Sequence, residues 1–508
     1  MCGITGYFKS PDLSIGVGAL IKATNEIVHR GPDSFGYYED EYVGLGHRRL
    51  SIIDLTPSGY QPMFSSSGRF VISFNGEIYN FLEIKEKLQS LGYIFKGNSD
   101  TEVLINGFDY WGVKVFKRLN GIFAISIFDL VEKKLYLVRD RLGVKPLYYL
   151  NDKGKWLFGS EIKCILSHDD VSRKLSPQGF REFLYYGYAL GTNTMFKNVY
   201  KLEPGSFAII DTKGILIEKY WKIEDVDLMQ PPDINEKNII HQTKIKLEEA
   251  IRRQLISDVP VGVFLSGGID SSAITAFASK QYSSQLKTYS AAFDFDNGHS
   301  ELPLAAKVAK MFGTDHHEMM IYGKDLKDVI CTLISHHDEP FSDAANIPLY
   351  LLTKEVKSDC KVILQGDGGD ELFAGYPGYH LMKKFAFYKF LFSVSHFLSP
   401  ILPSKFLRQK TERFYPLFFE KSESKFFASF LTTESSIKNT PESILSSKMQ
   451  EMIKNTSPYI RYDEILPRFK FLPDNVQKLL WIDMSKFCLS NSWKRFQKHN
   501  QFQVKNQC

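Results

Sequence analysis

Over residues 1–220, short apolar runs recur between turn signals. Arg69-Phe70-Val71-Ile72-Ser73-Phe74, Ile122-Phe123-Ala124-Ile125-Ser126-Ile127-Phe128, Lys134-Leu135-Tyr136-Leu137-Val138-Arg139 and Leu147-Tyr148-Tyr149-Leu150 are rich in β-branched and aromatic residues. Runs of this length and composition predict strands, and their density predicts layered β-structure. Helices are expected over 15–30, 81–91 and 102–111. The periodicity stops between 221 and 235, where Met229-Gln230-Pro231-Pro232-Asp233 reads as a linker. Beyond it, Ile240, Leu247, Ile251 and Leu255 fall on one face of a helix predicted over 236–256. Apolar strands follow at 259–265 and 361–364, and the alternation of strands with helices predicts a parallel α/β sheet. The apolar stretch 385–402 is interrupted by Lys389, Ser393, Ser395, His396, Ser399 and Pro400. A membrane span needs about 20 mostly apolar residues, so this stretch predicts a buried helix or lobe, with membrane association a distant second.

A chain of 508 residues has room for two to four domains at roughly 100–200 residues each. The net charge of +5 is small for this length and implies no polyanionic partner, so no nucleic acid is expected. Cys2, Cys164, Cys331, Cys360, Cys488 and Cys508 are far apart and form no zinc-ligand spacing. Reduced thiols, a cytoplasmic setting and no membrane partner are the expectation. No basic region followed by a long apolar run opens the chain, so no signal peptide is expected.

Candidate chemistry begins at the second residue. With Met1 removed, Cys2 carries a thiol and a free α-amine together, a nucleophile with a base attached. Polar clusters accompany it: His29-Arg30-Gly31-Pro32-Asp33, Arg49-Leu50-Ser51-Ile52-Ile53-Asp54, Asn75-Gly76-Glu77 and Ser99-Asp100-Thr101-Glu102. Read singly, Asn75-Gly76 predicts a tight turn, and Asp100 predicts a helix cap. As a set with Cys2-Gly3-Ile4 they resemble the N-terminal-nucleophile (class II) glutamine amidotransferase domain. That resemblance implies that Cys2 attacks the glutamine amide and that Asn75 and Gly76 form an oxyanion hole. It also implies that Arg49 binds the α-carboxylate, that Glu77 and Asp100 hold the α-ammonium, and that Leu50, Ser51, Ile52 and Ile53 complete the pocket.

A second constellation follows the 259–265 strand. Ser266-Gly267-Gly268-Ile269-Asp270-Ser271-Ser272 leads from strand to helix, where backbone N–H groups and the helix N-terminus favour an anion. The Gly-Lys-Ser/Thr ending of a Walker A loop is absent. The loop is similar to the pyrophosphate loop of ATP pyrophosphatases. That similarity implies a site for ATP and Mg²⁺, with Asp270 on the metal and a second set led by Asp370 in Gln365-Gly366-Asp367-Gly368-Gly369-Asp370-Glu371. His316-His317 and His336-His337 are read as strand pairs pointing opposite ways, which argues against metal binding.

Together the two halves resemble the glutamine-dependent asparagine synthetase family. The resemblance runs from Cys2 to about Asp483 and includes Glu301 and Asp338-Glu339-Pro340-Phe341. It implies an αββα layered glutaminase domain (1–220), a linker (221–235) and a parallel-sheet α/β ATP-pyrophosphatase domain with a helical C-terminal lobe (236–487). The ATP site would take Leu265, Ser266, Gly267, Gly268, Asp270, Ser271, Ser272, Ala291, Gln365 and Gly366. Gln365 stands where Ser is common, and Ala291 where a branched aliphatic is. The implied reaction makes asparagine, AMP and pyrophosphate from aspartate and ATP, with ammonia from glutamine. Another carboxylate acceptor, a chain that retains glutaminase alone, and a homodimer stay open. The family pattern continues past residue 508 through a Lys-bearing segment. The tail 488–508 shows no such motif, which predicts a truncated or altered C-terminus, exposed apolar surface and weak or absent pyrophosphate release.

Overall fold

The computed structural model describes residues 1–508 except 17, 226–234, 295–299, 323–325, 344, 399–410, 412–414, 432–439, 473, 490–502 and 507–508. The proposed linker segment Met229–Asp233 and most of the tail therefore lie outside the described residues.

The N-terminal half is built on two six-stranded sheets. One runs Val199–Lys201, Tyr148–Asp152, Lys155–Gly159, Gly3–Phe8, Val43–Arg49, Ser34–Glu39 from edge to edge. The other runs Gly214–Lys219, Ser206–Asp211, Lys134–Arg139, Gly121–Asp129, Phe70–Ile78, Met63–Phe64. Neighbouring strands pair antiparallel wherever a register is defined. Ile4, Phe8, Val43 and Leu45 of the first sheet pack on Val71, Ala124, Phe128 and Leu137 of the second. The outer face of the second sheet is covered by helices Phe81–Ser90 and Asp100–Trp111, which bury Ile84, Leu88, Leu104 and Phe108. On the first sheet, helix Ala19–Asn25 is shorter than the 15–30 expected. Gly18 caps its start in the left-handed region at φ 77, and a 3₁₀ turn, Val28–Arg30, replaces its end.

In the second half a parallel sheet has the order Asp315–Ile321, Lys287–Phe293, Val261–Phe264, Val362–Gln365, Gln503–Asn506. The tail that showed no motif thus adds an edge strand in register with Val362–Gln365. Helices Ile269–Gln281, Leu302–Phe312 and Asn346–Val356 follow the strands. A helical lobe gathers around Tyr379, Met382, Phe427, Tyr462, Ile465 and Phe469, as the α/β expectation with a C-terminal lobe required.

The stretch expected as a buried helix forms Phe385–Phe397, but it is not buried. Phe387, Phe390 and Phe397 are exposed, the last at 85%. Among the described residues, Phe385 and Phe392 pack on Phe418, and His396 stacks on Tyr415. Among the described residues no helix is long and apolar enough to cross a membrane.

Candidate functional site

Cys2 enters the first sheet one residue before Gly3–Phe8, at the seam between the two halves. Its thiol Sγ accepts from the Leu50 N–H at 3.4 Å, and its carbonyl accepts from Arg30 Nε at 3.0 Å. Cys2, Arg49, Leu50, Ile52, Ile53, Gly76, Glu77 and Asp100 line one narrow pocket. Gly59, Gln61, Phe74, Ser99 and Thr101 line it too and were not singled out from sequence. Gln61 bridges two of the elements that frame the pocket. Its amide oxygen accepts from the Phe74 N–H at 2.6 Å and its amide nitrogen donates to Thr101 at 3.1 Å, so it fastens the helix start to the strand.

Two local readings change. Asn75 and Gly76 lie inside strand Phe70–Ile78, opposite Ala124 and Phe123, and not in a turn. The glycine is there for closeness: a Cβ on Gly76 would stand 2.2 Å from the Ile122 carbonyl oxygen. Asn75 does not line the pocket that its neighbours form; its Nδ2 is buried and meets no hydrogen-bond partner among the described residues, an arrangement that suits a donor awaiting an oxyanion. Helix Asp100–Trp111 is capped by Ser99, whose hydroxyl accepts from Thr101 N–H. Asp100 is freed from that task and accepts from the Ile78 N–H at 3.0 Å.

Arg49 is held by carbonyls of the loop that follows it: Thr56 at 3.2 Å, Ile53 at 3.3 Å, and Asp54. Its Nε takes part in none of these contacts. Asp54 staples that loop by accepting from Thr56, Ser58 and Asn98. Burial works against its ionisation, yet these hydrogen bonds win and hold its carboxyl down at about 2. Ser51 does not line the pocket; its N–H donates to Asp33, which also pairs with Lys361 at 2.9 Å.

A buried ion-pair chain leads from Cys2 toward the second half. Arg30 Nη1 meets Glu161 at 2.9 Å with both side chains fully buried. Lys163 joins Glu161 at 3.2 Å to Asp338 at 3.3 Å. Glu339 accepts from the Met195 N–H at 3.0 Å. The segment Asp338-Glu339-Pro340-Phe341 therefore clasps the glutaminase half and does not line the second cleft. His336 and His337 end a helix, Leu326–His337, and not a strand, while His316 and His317 do lie in strand Asp315–Ile321. His336 packs edge-on against His29.

The second cleft encloses about 490 Å³. Leu265, Ser266, Gly268, Asp270, Ser271, Ala291, Gln365, Gly366 and Asp370 line it, joined by Ser290, Glu301, Asp367, Glu371 and Tyr376. Gly267 and Ser272 lie beside it. Gly267 takes φ +80 and presses on Leu304 and Ala305, and Ser272 N–H bonds back to the Gly268 carbonyl within the helix. Gly268 caps helix Ile269–Gln281, aiming that N-terminus at the cleft. The two loops meet closely: a Cβ on Gly366 would stand 2.8 Å from Asp270 Cβ, and one on Gly369 would stand 2.7 Å from the Asp270 carboxyl carbon. Burial and the neighbouring Asp370 push the Asp270 carboxyl above its usual range. Two carboxylates that repel each other beside a helix N-terminus fit a divalent cation carrying phosphate oxygens, because Mg²⁺ takes one or two carboxylates and leaves its other positions to phosphate and water.

Asp367, not singled out from sequence, is crowded by protein on most sides. Burial first, then Glu371 and Asp370, push it up to about 7. Its folded value lies above the unfolded 3.8, so the folded state keeps a proton that the unfolded chain has lost between about pH 4 and pH 7. Stability from this group is full below that window and is lost as pH rises through it. Asp367→Asn is therefore expected to raise Tm at about pH 8 and to leave it unchanged near pH 4; thermal melts at both values check this, and an equal shift at both would refute it.

Together, the two folds define a class: an amidotransferase-type layered module joined to a glycine-loop α/β module. Residues 1–221 match the family model for a glutamine amidotransferase domain, and residues 242–487 match that for asparagine synthase. The chain is 37% identical over 384 residues to asparagine synthetase 1 (glutamine-hydrolysing) of Bacillus subtilis, covering 75% of this chain and 59% of that protein. It is 34% identical to asparagine synthetase 3 of the same organism, covering 75% and 64%. A Methanocaldococcus jannaschii protein provisionally named asparagine synthetase 2 is 33% identical, covering 74% and 76%. This chain belongs to the glutamine-hydrolysing asparagine synthetase family. It spans about three fifths of the length of the two Bacillus subtilis relatives.

Proposed function

We propose that this chain makes asparagine, hydrolysing glutamine at Cys2 and using the ammonia to amidate an aspartate carboxylate activated with ATP. One observation supports the reading: the apolar cluster beside Cys2 continues onto the strands that lead into the loops of the second cleft. Leu50 and Ile52, beside Cys2, pack with Val261, Val263, Val362 and Leu364, from the strands that run into the loops of the second cleft. Apolar packing between the two sites suits the passage of neutral ammonia, which bulk water would protonate.

In the first site the Cys2 thiol attacks the glutamine amide carbon, and its proton passes through water to the Cys2 α-amine. Asn75 Nδ2 and the Gly76 N–H receive the oxygen that gains charge, where one fixed donor is worth roughly 3–4 kcal/mol. The amine's proton then leaves with ammonia, and water frees glutamate from the thioester. Arg49 holds the α-carboxylate through its unengaged edge, and Asp100 and Glu77 hold the α-ammonium. In the second site the helix N-terminus behind Gly268 and the loop N–H groups bind phosphate oxygens. Asp270 and Asp370 would hold Mg²⁺, which when bound neutralises phosphate charge as pyrophosphate leaves. Leu265, Ala291, Gln365 and Gly366 frame the nucleotide.

The test is product formation by the Met1-processed chain with glutamine, ATP, Mg²⁺ and aspartate. Equal amounts of asparagine, AMP and pyrophosphate are expected. Glutamine hydrolysis with no aspartate-dependent pyrophosphate would reject the synthetase part.

A further inference from the structure

Lys145 is a buried cation that the reaction described above does not use. Its side chain has no exposed surface. The hydrogen-bond acceptor its ammonium meets among the described residues is the thioether of Met1, at 3.2 Å. A thioether is a weak acceptor, so a costly buried charge is matched here to a poor partner.

The backbone around Lys145 is fixed with unusual care. The buried Asp140 carboxylate accepts from the N–H groups of Phe123, Leu142, Val144 and Lys145, between 2.9 and 3.1 Å. Arg139 donates to the carbonyls of Gly143, Lys145 and Leu202, between 2.7 and 2.9 Å. This frame aims one ammonium at one side chain, and that side chain belongs to the residue whose removal creates the nucleophile.

We propose that Lys145 is a positioning residue for glutamine hydrolysis: once Met1 is excised, its ammonium faces the space Met1 vacates, keeps the Cys2 α-amine neutral, and anchors the water that carries the thiol proton to it. The inference rests on Cys2 being the glutaminase nucleophile. The vacated space has the size of a methionine side chain and is polar on the Lys145 side, as an ordered water requires. The proton count closes without Lys145: water gives a proton to the amine and takes the thiol proton, and Lys145 keeps its own.

The charges facing this space have clear directions. Burial lowers the Met1 amine, the terminus before excision, well below its usual range; Cys2 and Asp33 oppose the shift, and Arg30 and Lys145 add to it. Burial likewise pushes Lys145 down to about 8, with Glu77, Asp140 and Cys2 resisting and Arg30 assisting. Below about pH 8, then, Lys145 is a cation at the edge of the space that the Met1 side chain occupies. A nearby cation lowers an amine's pKa, so removing it raises that pKa and leaves less neutral amine at a given pH.

The experiment is the pH profile of glutaminase kcat/KM for wild type, Lys145→Met and Lys145→Arg, each with Met1 removal verified by mass. The acid limb reports the free enzyme's base. With methionine the limb is expected to move to higher pH by about one unit, a roughly ten-fold loss near pH 6.5 that recovers above pH 8. Arginine, which keeps the charge, is expected to hold the limb in place. An unmoved limb in Lys145→Met, or the same loss in both variants at every pH, overturns the role given to Lys145. Glutaminase that survives Cys2→Ala overturns the underlying reading instead, so the two failures look different.

Discussion

Cys2→Ala is expected to abolish glutamine hydrolysis, with a fall of about 10⁴-fold or more in kcat/KM, while synthesis from added ammonia continues. The size follows from what is removed. Loss of a nucleophile that acts as a unit with its base leaves only the background supplied by binding and the oxyanion donors. Cys2 does not line the second cleft, and the structural cost is small: the thiol's contacts to the Leu50 N–H at 3.4 Å and the Leu50 carbonyl at 3.6 Å are lost, while the Cys2 carbonyl keeps Arg30. The check is paired. Glutamate release and ammonia-dependent asparagine formation are measured on the same preparation. Persistent glutamate release in the variant would remove Cys2 from the reaction. Loss of both activities would mean that the substitution had damaged the fold, which circular dichroism would show.

Asp370→Asn carries the second large effect. The Asp270 carboxyl feels Asp370 as a like charge, and Gly375 closes so tightly on Asp370 that a Cβ there would overlap its carboxylate at 1.8 Å. The side chain has little freedom to be replaced by a neighbour. If Asp370 holds Mg²⁺ as proposed, aspartate-dependent pyrophosphate release is expected to fall by about 100-fold or more without it, since metal stabilisation of phosphoryl oxygens is worth several kcal/mol. Binding of ATP in excess chelator should not weaken, because one negative charge facing the triphosphate has gone. The two readouts separate a metal role from a structural one. Equal loss of ATP affinity with and without Mg²⁺ would argue against Asp370 as a metal ligand, and glutaminase activity in the same variant should stay at the wild-type level.

The sequence was most legible where function is local. A glycine-rich strand-to-helix loop declares itself along the chain, because the glycines, the apolar strand before them and the helix after them are neighbours. Gly268 does cap Ile269–Gln281, as that pattern required. The same local reasoning misplaced Asn75-Gly76, since an Asn-Gly pair that makes a tight turn in isolation is also what a strand needs when another backbone lies 2.2 Å from the missing Cβ. It likewise gave the capping role to Asp100, when Ser99 performs it and releases the aspartate into the pocket. The exposed face of Phe385–Phe397 was read as core because composition reports how apolar a helix is and not what covers it.

By itself, then, the sequence determined two candidate chemistries: a thiol at the second residue, and a phosphate-type loop with acidic residues downstream. It also determined the order of the two modules, since alternating short strands and alternating strand–helix units leave different periodic traces. Only the tertiary structure decided which distant groups meet. Asp270 reaches the 366–369 loop, Arg30 reaches Glu161 and through Lys163 Asp338, and Lys145 reaches Met1 across a separation of 144 residues. The physical reason is that side-chain periodicity fixes a face but not a neighbour. Neighbours come from sheet register and from the packing of one sheet on another, and those are properties of the whole chain closing on itself.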